Sequence, residues 1–207
     1  MRTALPLMVF CAGLAAYCAG LPALADGGQS LPGTWRFSNG AEFPGAAGAM
    51  EALSPGGQKA VFDFSNGGSY VGLYLDLNTP EPLKAVNFRI NKPAEGTFTL
   101  RVTDATGQDF QKQVDTPEAG WQNITVMLDN WMVYWGGAND GVFHPPVRTL
   151  GFLIESQGLD SPKGAMLIDA LAGVADASGK TADSVLFEGR YVAVNFQSEA
   201  PFWAHPA

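Results

Sequence analysis

Two tryptophans, a tyrosine, a histidine and an Asn-Asp pair crowd into the short segment Trp131–His144 of a 207-residue chain. That mixture suits the recognition of sugars. The axial C–H groups of a pyranose present an apolar face to an indole, and its hydroxyls need planar donors and acceptors. Trp131, Tyr134, Trp135, Asn139, Asp140 and His144 are therefore candidate ligand-binding residues. Glycines at 136, 137 and 141 let the backbone turn sharply and approach a ligand. The competing reading is structural: Trp131 and Trp135 cap the end of a hydrophobic core, and His144-Pro145-Pro146 stiffens the exit from the loop.

The elements that must position such a segment read as strands. Apolar and polar residues alternate through the middle of the chain, and helical periodicity hardly occurs. About eight strands follow from this pattern: Trp35–Phe37, Lys59–Phe64, Tyr70–Leu77, Ala85–Ile90, Thr97–Thr103, Gln122–Leu128, Thr149–Glu155 and Ala165–Leu171. Period-two geometry turns Val71, Leu73, Leu75, Val86, Phe88, Ile90, Leu100 and Val126 inward. Regular spacing and turn signals such as Asn66-Gly67-Gly68 and Asp104-Ala105-Thr106-Gly107 point to an all-β, antiparallel two-sheet sandwich of jelly-roll type, with a closed barrel as the alternative. The connection from Asp129 to Arg148 is longer than a hairpin loop, and loops of that length are often functional.

The same alternation sends Tyr70, Tyr74, Asp76, Asn87, Arg89, Arg101, Thr125 and Glu155 away from the core. If their strands share a sheet, these residues line one face, where Arg89 and Arg101 grip hydroxyls or a uronate carboxylate with paired donors. The alternative is an ordinary solvated face with cross-strand Arg–acid pairs. A further acid, Asp169, interrupts the apolar run Met166–Leu171 and needs a partner if buried. Calcium would neutralise it, with Glu42 as the companion ligand from the other end of the chain; otherwise Asp169 faces water.

Residues 1–25 have the parts of an export signal: Arg2, an apolar stretch to about Leu21, and Ala23-Leu24-Ala25 before a cleavage site at Asp26. The competing reading is a retained membrane helix, but Pro6, Gly13, Gly20 and Pro22 interrupt the stretch. Excision leaves no span in the mature protein and places it in the periplasm or outside the cell. Both cysteines, Cys11 and Cys18, fall in this leader, so the mature chain has no disulfide and no thiol chemistry. Residues 26–32 form a short leader, 33–175 the domain, and 176–207 a linker followed by a hairpin, an added edge strand or the remnant of a following domain. The chain has 12 basic against 20 acidic residues, a net charge of −8, which argues against nucleic acid as a partner.

The chain resembles the β-sandwich carbohydrate-binding modules of the galactose-binding-domain-like type, found attached to secreted glycoside hydrolases. The resemblance rests on Trp35 with Glu42-Phe43-Pro44-Gly45-Ala46, Phe62–Val71, Arg101–Gln108, Trp121 and Ile168-Asp169, in that order, and covers approximately Gly33 to Val174. It implies a jelly roll with ligands on the concave face or in the loops at one edge. It also implies a structural calcium held by Asp169 and by Glu42. The departure is that no catalytic domain follows.

Together these features predict non-catalytic binding of a polysaccharide or oligosaccharide. The alternative is a polysaccharide-active enzyme, a glycoside hydrolase or lyase, using paired carboxylates such as Asp76 with Glu155. With only His144 and His205 and no cysteine in the mature chain, metal hydrolysis and thiol catalysis are disfavoured. An envelope protein that pairs its terminal hairpin with a partner's sheet edge is the third possibility.

Overall fold

A computed structural model describes residues 28–175, together with the strands Asp183–Phe187 and Arg190–Val194. The export signal expected at 1–25 and the linker expected after residue 175 lie outside the described residues. Twelve strands build the domain: β1 (Gln29–Ser30), β2 (Gly33–Ser38), β3 (Ala47–Leu53), β4 (Gly57–Asp63), β5 (Tyr70–Glu81), β6 (Leu83–Lys92), β7 (Phe98–Thr103), β8 (Gln108–Val114), β9 (Gly120–Met127), β10 (Val133–Gly136), β11 (Val147–Glu155) and β12 (Lys163–Ala175).

They form two antiparallel sheets. Sheet A has the order β3-β4-β12-β6-β9, with β1 also pairing β12, and sheet B has the order β10-β8-β7-β11-β5-β2. β13 (Asp183–Phe187) and β14 (Arg190–Val194) pair with each other as a separate hairpin. The all-β sandwich is thus the observed architecture. No described helix is long and apolar enough to cross a membrane.

One core joins the two sheets, because the alternating apolar residues of both turn toward each other. Val71, Leu73 and Leu75 of β5, Val86 and Ile90 of β6, and Leu100 and Val102 of β7 are wholly enclosed. Phe88 of β6 meets Phe152 of β11 edge-on across the interface at 5.2 Å, and Trp35 of β2 lies 5.8 Å from Phe152.

Every anticipated strand is present, with ends shifted by a few residues. Four strands carry no readable alternation. β1 is two residues long, and β3 is an exposed edge strand of small residues. β8 is polar except for Phe110 and Val114. β10 lies inside the long connection after β9, so the segment expected to be a loop instead supplies the edge strand of sheet B.

Candidate functional site

The outer face of sheet B is set by strand register. Arg36, Tyr74, Gly151, Arg101, Gln111 and Val133 lie side by side in one row across β2, β5, β11, β7, β8 and β10. The adjacent row holds Asp76, Thr149, Thr103, Asp109 and Trp135. Glycine at 151 decides how the first row packs. A Cβ there would come within 2.6 Å of Tyr74 Cε1, and one at Gly72 within 2.9 Å of Cε2, so the phenol lies flat on the bare backbone of two strands. Lying flat, it reaches Arg101.

Arg101 organises the face. Its Nη1 donates to the hydroxyls of Tyr74 at 2.9 Å and Tyr70 at 3.3 Å, while Nε and Nη2 donate to Gln111 Oε1 at 3.1 and 2.8 Å. Burial pushes the Tyr74 phenol above its ordinary range despite the neighbouring Arg101 charge. Tyr70 in turn donates to Glu42 in the loop after β2, and that hydrogen bond holds the Glu42 carboxyl below the usual carboxylate range. Phe43 packs edge-on to Tyr70 at 6.4 Å with half its surface exposed. Tyr70 and Tyr74 are each only 6% exposed, so they support the surface rather than form it.

Trp135 completes the arrangement. Its ring centre lies 4.9 Å from the Arg101 guanidinium, and it remains 38% exposed. An indole held against a cation that is itself fixed by two phenols and an amide is a rigid apolar platform beside hydrogen-bonding groups. At the other side of the row, Arg36 lies over the Tyr74 ring at 4.4 Å and donates to Asp76 at 2.9 Å. The structure therefore brings together Tyr70, Tyr74, Asp76, Arg101 and Trp135 among the anticipated residues.

Other anticipated residues fall elsewhere. Asn87, Arg89 and Thr125 belong to β6 and β9 and face outward from sheet A, on the opposite side of the sandwich. There Thr125 donates to Asn87 at 2.8 Å. The expected common face is corrected accordingly: outward parity was right, but the strands divide between two sheets. Glu155 is on sheet B but six residues of strand away from Asp76, roughly 20 Å at about 3.3 Å per residue. That exceeds the reach of a glycosidase acid pair, so the Asp76–Glu155 couple is ruled out as catalytic machinery. Glu155 accepts from Thr99 at 2.6 Å instead.

Within the long connection, most polar residues hold the chain in place. Asp140 accepts from Val142 N–H at 2.9 Å and contacts His144 Nε2 at 3.0 Å. His144 N–H donates to buried Asp104 at 3.0 Å, and Asn139, at φ 52°, closes a turn onto Gly136. Trp131 packs against Phe110 and Phe143 at 5.4 and 5.9 Å, which is the capping role weighed against it. Tyr134 is exposed but projects to the side of β10 opposite Trp135, with its ring 6.2 Å from Phe110.

The expected calcium pair does not assemble. Glu42 is engaged by Tyr70 on the sheet B side, whereas both oxygens of Asp169 accept from Arg89 at 2.7 Å on the outer face of sheet A. A guanidinium thus supplies the charge that calcium was expected to bring. Among the described residues no group of three or more His, Cys, Asp or Glu side chains is placed to hold a metal.

No family model and no curated protein matches the chain. Solved structures do. A family 11 carbohydrate-binding module of the cellulosomal cellulase Lic26A-Cel5E of Clostridium thermocellum is 13% identical over 74% of this chain and 94% of that one, with a TM-score of 0.49. A family 29 carbohydrate-binding module complexed with mannohexaose is 11% identical over 70% and 94%, at 0.43. PfGH50B is 11% identical over 70% of this chain and 22% of that one, at 0.50. The shared property is the fold.

Sequence reasoning missed Gln111, Phe43, Arg36 and the place of Glu42. Gln111 sits in the polar strand β8, directly opposite Arg101. The Asp104–Gln108 turn followed by a second pass of chain was the available signal for it.

Proposed function

We propose that the chain is an exported, non-catalytic carbohydrate-binding module that holds a glycan on the outer face of sheet B. The observation that carries this reading is the exposed Trp135 indole standing on Arg101, with Tyr70, Tyr74 and Gln111 fixing the guanidinium beneath it. A pyranose ring stacks on the indole, while Arg101, Gln111, Asp109 and the Arg36–Asp76 pair offer donors and acceptors to its hydroxyls. Because the groups are locked before binding, little ordering entropy is lost on contact. Phe43, beside β5, provides a second apolar contact. β5 and β10 are four strand spacings apart, about 19 Å at roughly 4.8 Å each, which is room for several sugar units in a row. The apolar leader with its Ala23-Leu24-Ala25 end supports export.

The test is affinity electrophoresis of the mature protein in gels containing neutral or acidic polysaccharides. The wild type is slowed in a subset of gels, and Trp135→Ala loses the effect with about tenfold or greater weakening. Reducing ends are not released from the retained glycan. Uniform migration in every gel, or a Trp135→Ala variant as strongly retained as wild type, contradicts the proposal.

A further inference from the structure

On the opposite side of the sandwich, sheet A has a gap. β4 pairs with β12 as far as Gln58 opposite Ile168, and β1 takes up the same edge again at Ser30 opposite Ala172. Asp169, Ala170 and Leu171 lie between, in a stretch where the register to β6 on the other edge also shifts. Ala170 has a φ of 50°, a left-handed conformation disfavoured for any residue with a β-carbon. The chain bends there and opens a cavity of about 480 Å³. That volume is within the range of small-molecule sites.

Its lining has two characters. Leu31, Leu53, Leu171 and the inward-facing Trp35 form apolar walls, and Trp121 contributes an indole that is 44% exposed. The polar part is the Arg89–Asp169 pair, bonded twice at 2.7 Å, with the guanidinium 4.8 Å from the Trp121 ring centre. The hydroxyl-bearing residues Ser30 and Ser54 also line it. Gly57 keeps the wall back, since a Cβ there would lie 3.0 Å from Asp169 Cβ.

We propose that this cavity is a second binding site, for a neutral pyranose or the end of a short neutral oligosaccharide, with the sugar's apolar face on Trp121 and its hydroxyls on the Arg89–Asp169 pair. The pair is internally neutralised, so it favours neither an anion nor a cation. A purely apolar ligand would cover an ion pair without hydrogen-bonding it, which is costly, whereas hydroxyls satisfy the remaining lone pairs and N–H groups. The site rests on the carbohydrate reading for its ligand class but on none of the residues around Trp135. With both sites filled, one chain holds two glycan segments on opposite faces and bridges them.

Indole N–H resonances of the full chain, recorded during titration with a panel of neutral oligosaccharides, test this directly. The Trp121 signal shifts saturably in wild type and equally in Trp135→Ala. In Ser30→Trp, where a bulky side chain plugs the mouth from an exposed strand position, affinity at Trp121 falls about tenfold or more. A Trp135 shift with Trp121 unmoved overturns the second site and leaves the first reading intact. A Trp121 shift that vanishes in Trp135→Ala also overturns it, because the two sites would then not be independent. Saturation of Trp121 by hexanol but by no sugar assigns the cavity to apolar ligands and refutes the proposal. Silence at both indoles across the panel refutes both readings.

Discussion

Replacing Arg101 with Met keeps the aliphatic stem and removes the guanidinium on which the sheet B face depends. The Tyr74 hydroxyl, in a side chain 6% exposed, loses a 2.9 Å donor, and Gln111 Oε1 loses donors at 3.1 and 2.8 Å. Tyr70 loses only a 3.3 Å contact and still donates to Glu42. A buried hydroxyl left with only Tyr70 beside it costs about 1–3 kcal/mol, and losing the charge-assisted hydrogen bonds to the partly exposed Gln111 adds about 1 kcal/mol net, so Arg101→Met should destabilise by about 2–4 kcal/mol in total. For a domain of this size that lowers Tm by roughly 5–15 °C. Tyr74→Phe alone costs about 0.5–1.5 kcal/mol, but in the Arg101→Met background it removes the stranded group and should be neutral or stabilising. The four proteins, unfolded in urea, should therefore show a coupling of about 1–2 kcal/mol. Additivity within about 0.5 kcal/mol would refute the claim that Arg101 and Tyr74 act as one unit.

Three further outcomes follow from other groups. Asp104 is wholly enclosed and accepts from Thr106 N–H and hydroxyl at 2.8 and 2.7 Å and from Gln108 and His144 N–H at 3.0 Å. Burial pushes its carboxyl up, yet those hydrogen bonds outweigh it and hold the group below its ordinary value. Its contribution is present in full above about pH 4 and is lost as pH falls through the lower folded value, so Asp104→Asn should flatten the acid limb of stability against pH; an unchanged limb between pH 2 and 5 contradicts this. Lys92, 2% exposed, donates to the carbonyls of Pro93, Ala94 and Gly96 at 2.8, 3.1 and 3.1 Å. Lys92→Met strands them and should cost about 2–4 kcal/mol in urea unfolding, whereas a neutral result would place the ammonium in solvent. Gly151→Ala forces the Tyr74 ring off the sheet and should cost about 1–3 kcal/mol together with weaker glycan retention, while wild-type stability would contradict the flat ring.

Face parity was legible in the sequence because alternation in β5, β6 and β7 is strict: Val71, Leu73 and Leu75 are enclosed, and Tyr74 and Arg101 lie on the other side of their strands. Sheet membership was not. Whether Arg89 joins Arg101 depends on long-range pairing of β6 with β12 and β9, and no local pattern encodes it. The same limit hid the partners of the two acids. Asp169 meets Arg89 across β12 and β6, and Glu42 meets Tyr70 through a loop. β8 escaped notice because its outward residues are Asp109, Gln111 and Gln113, and its two wholly enclosed residues, Gln108 and Phe110, include only one that is apolar. β10 was hidden by the glycines and aromatics that made the segment look like a binding loop, although pairing with β8 is what places Trp135 over Arg101.

The most direct test of the central claim is an amide-resolved titration of the labelled protein with a glycan that retards it in gels. Saturable shifts clustered on Arg101, Gln111 and Trp135 of β7, β8 and β10, and abolished in Trp135→Ala, are the predicted result. Saturable binding of that glycan with those amides unmoved would contradict it.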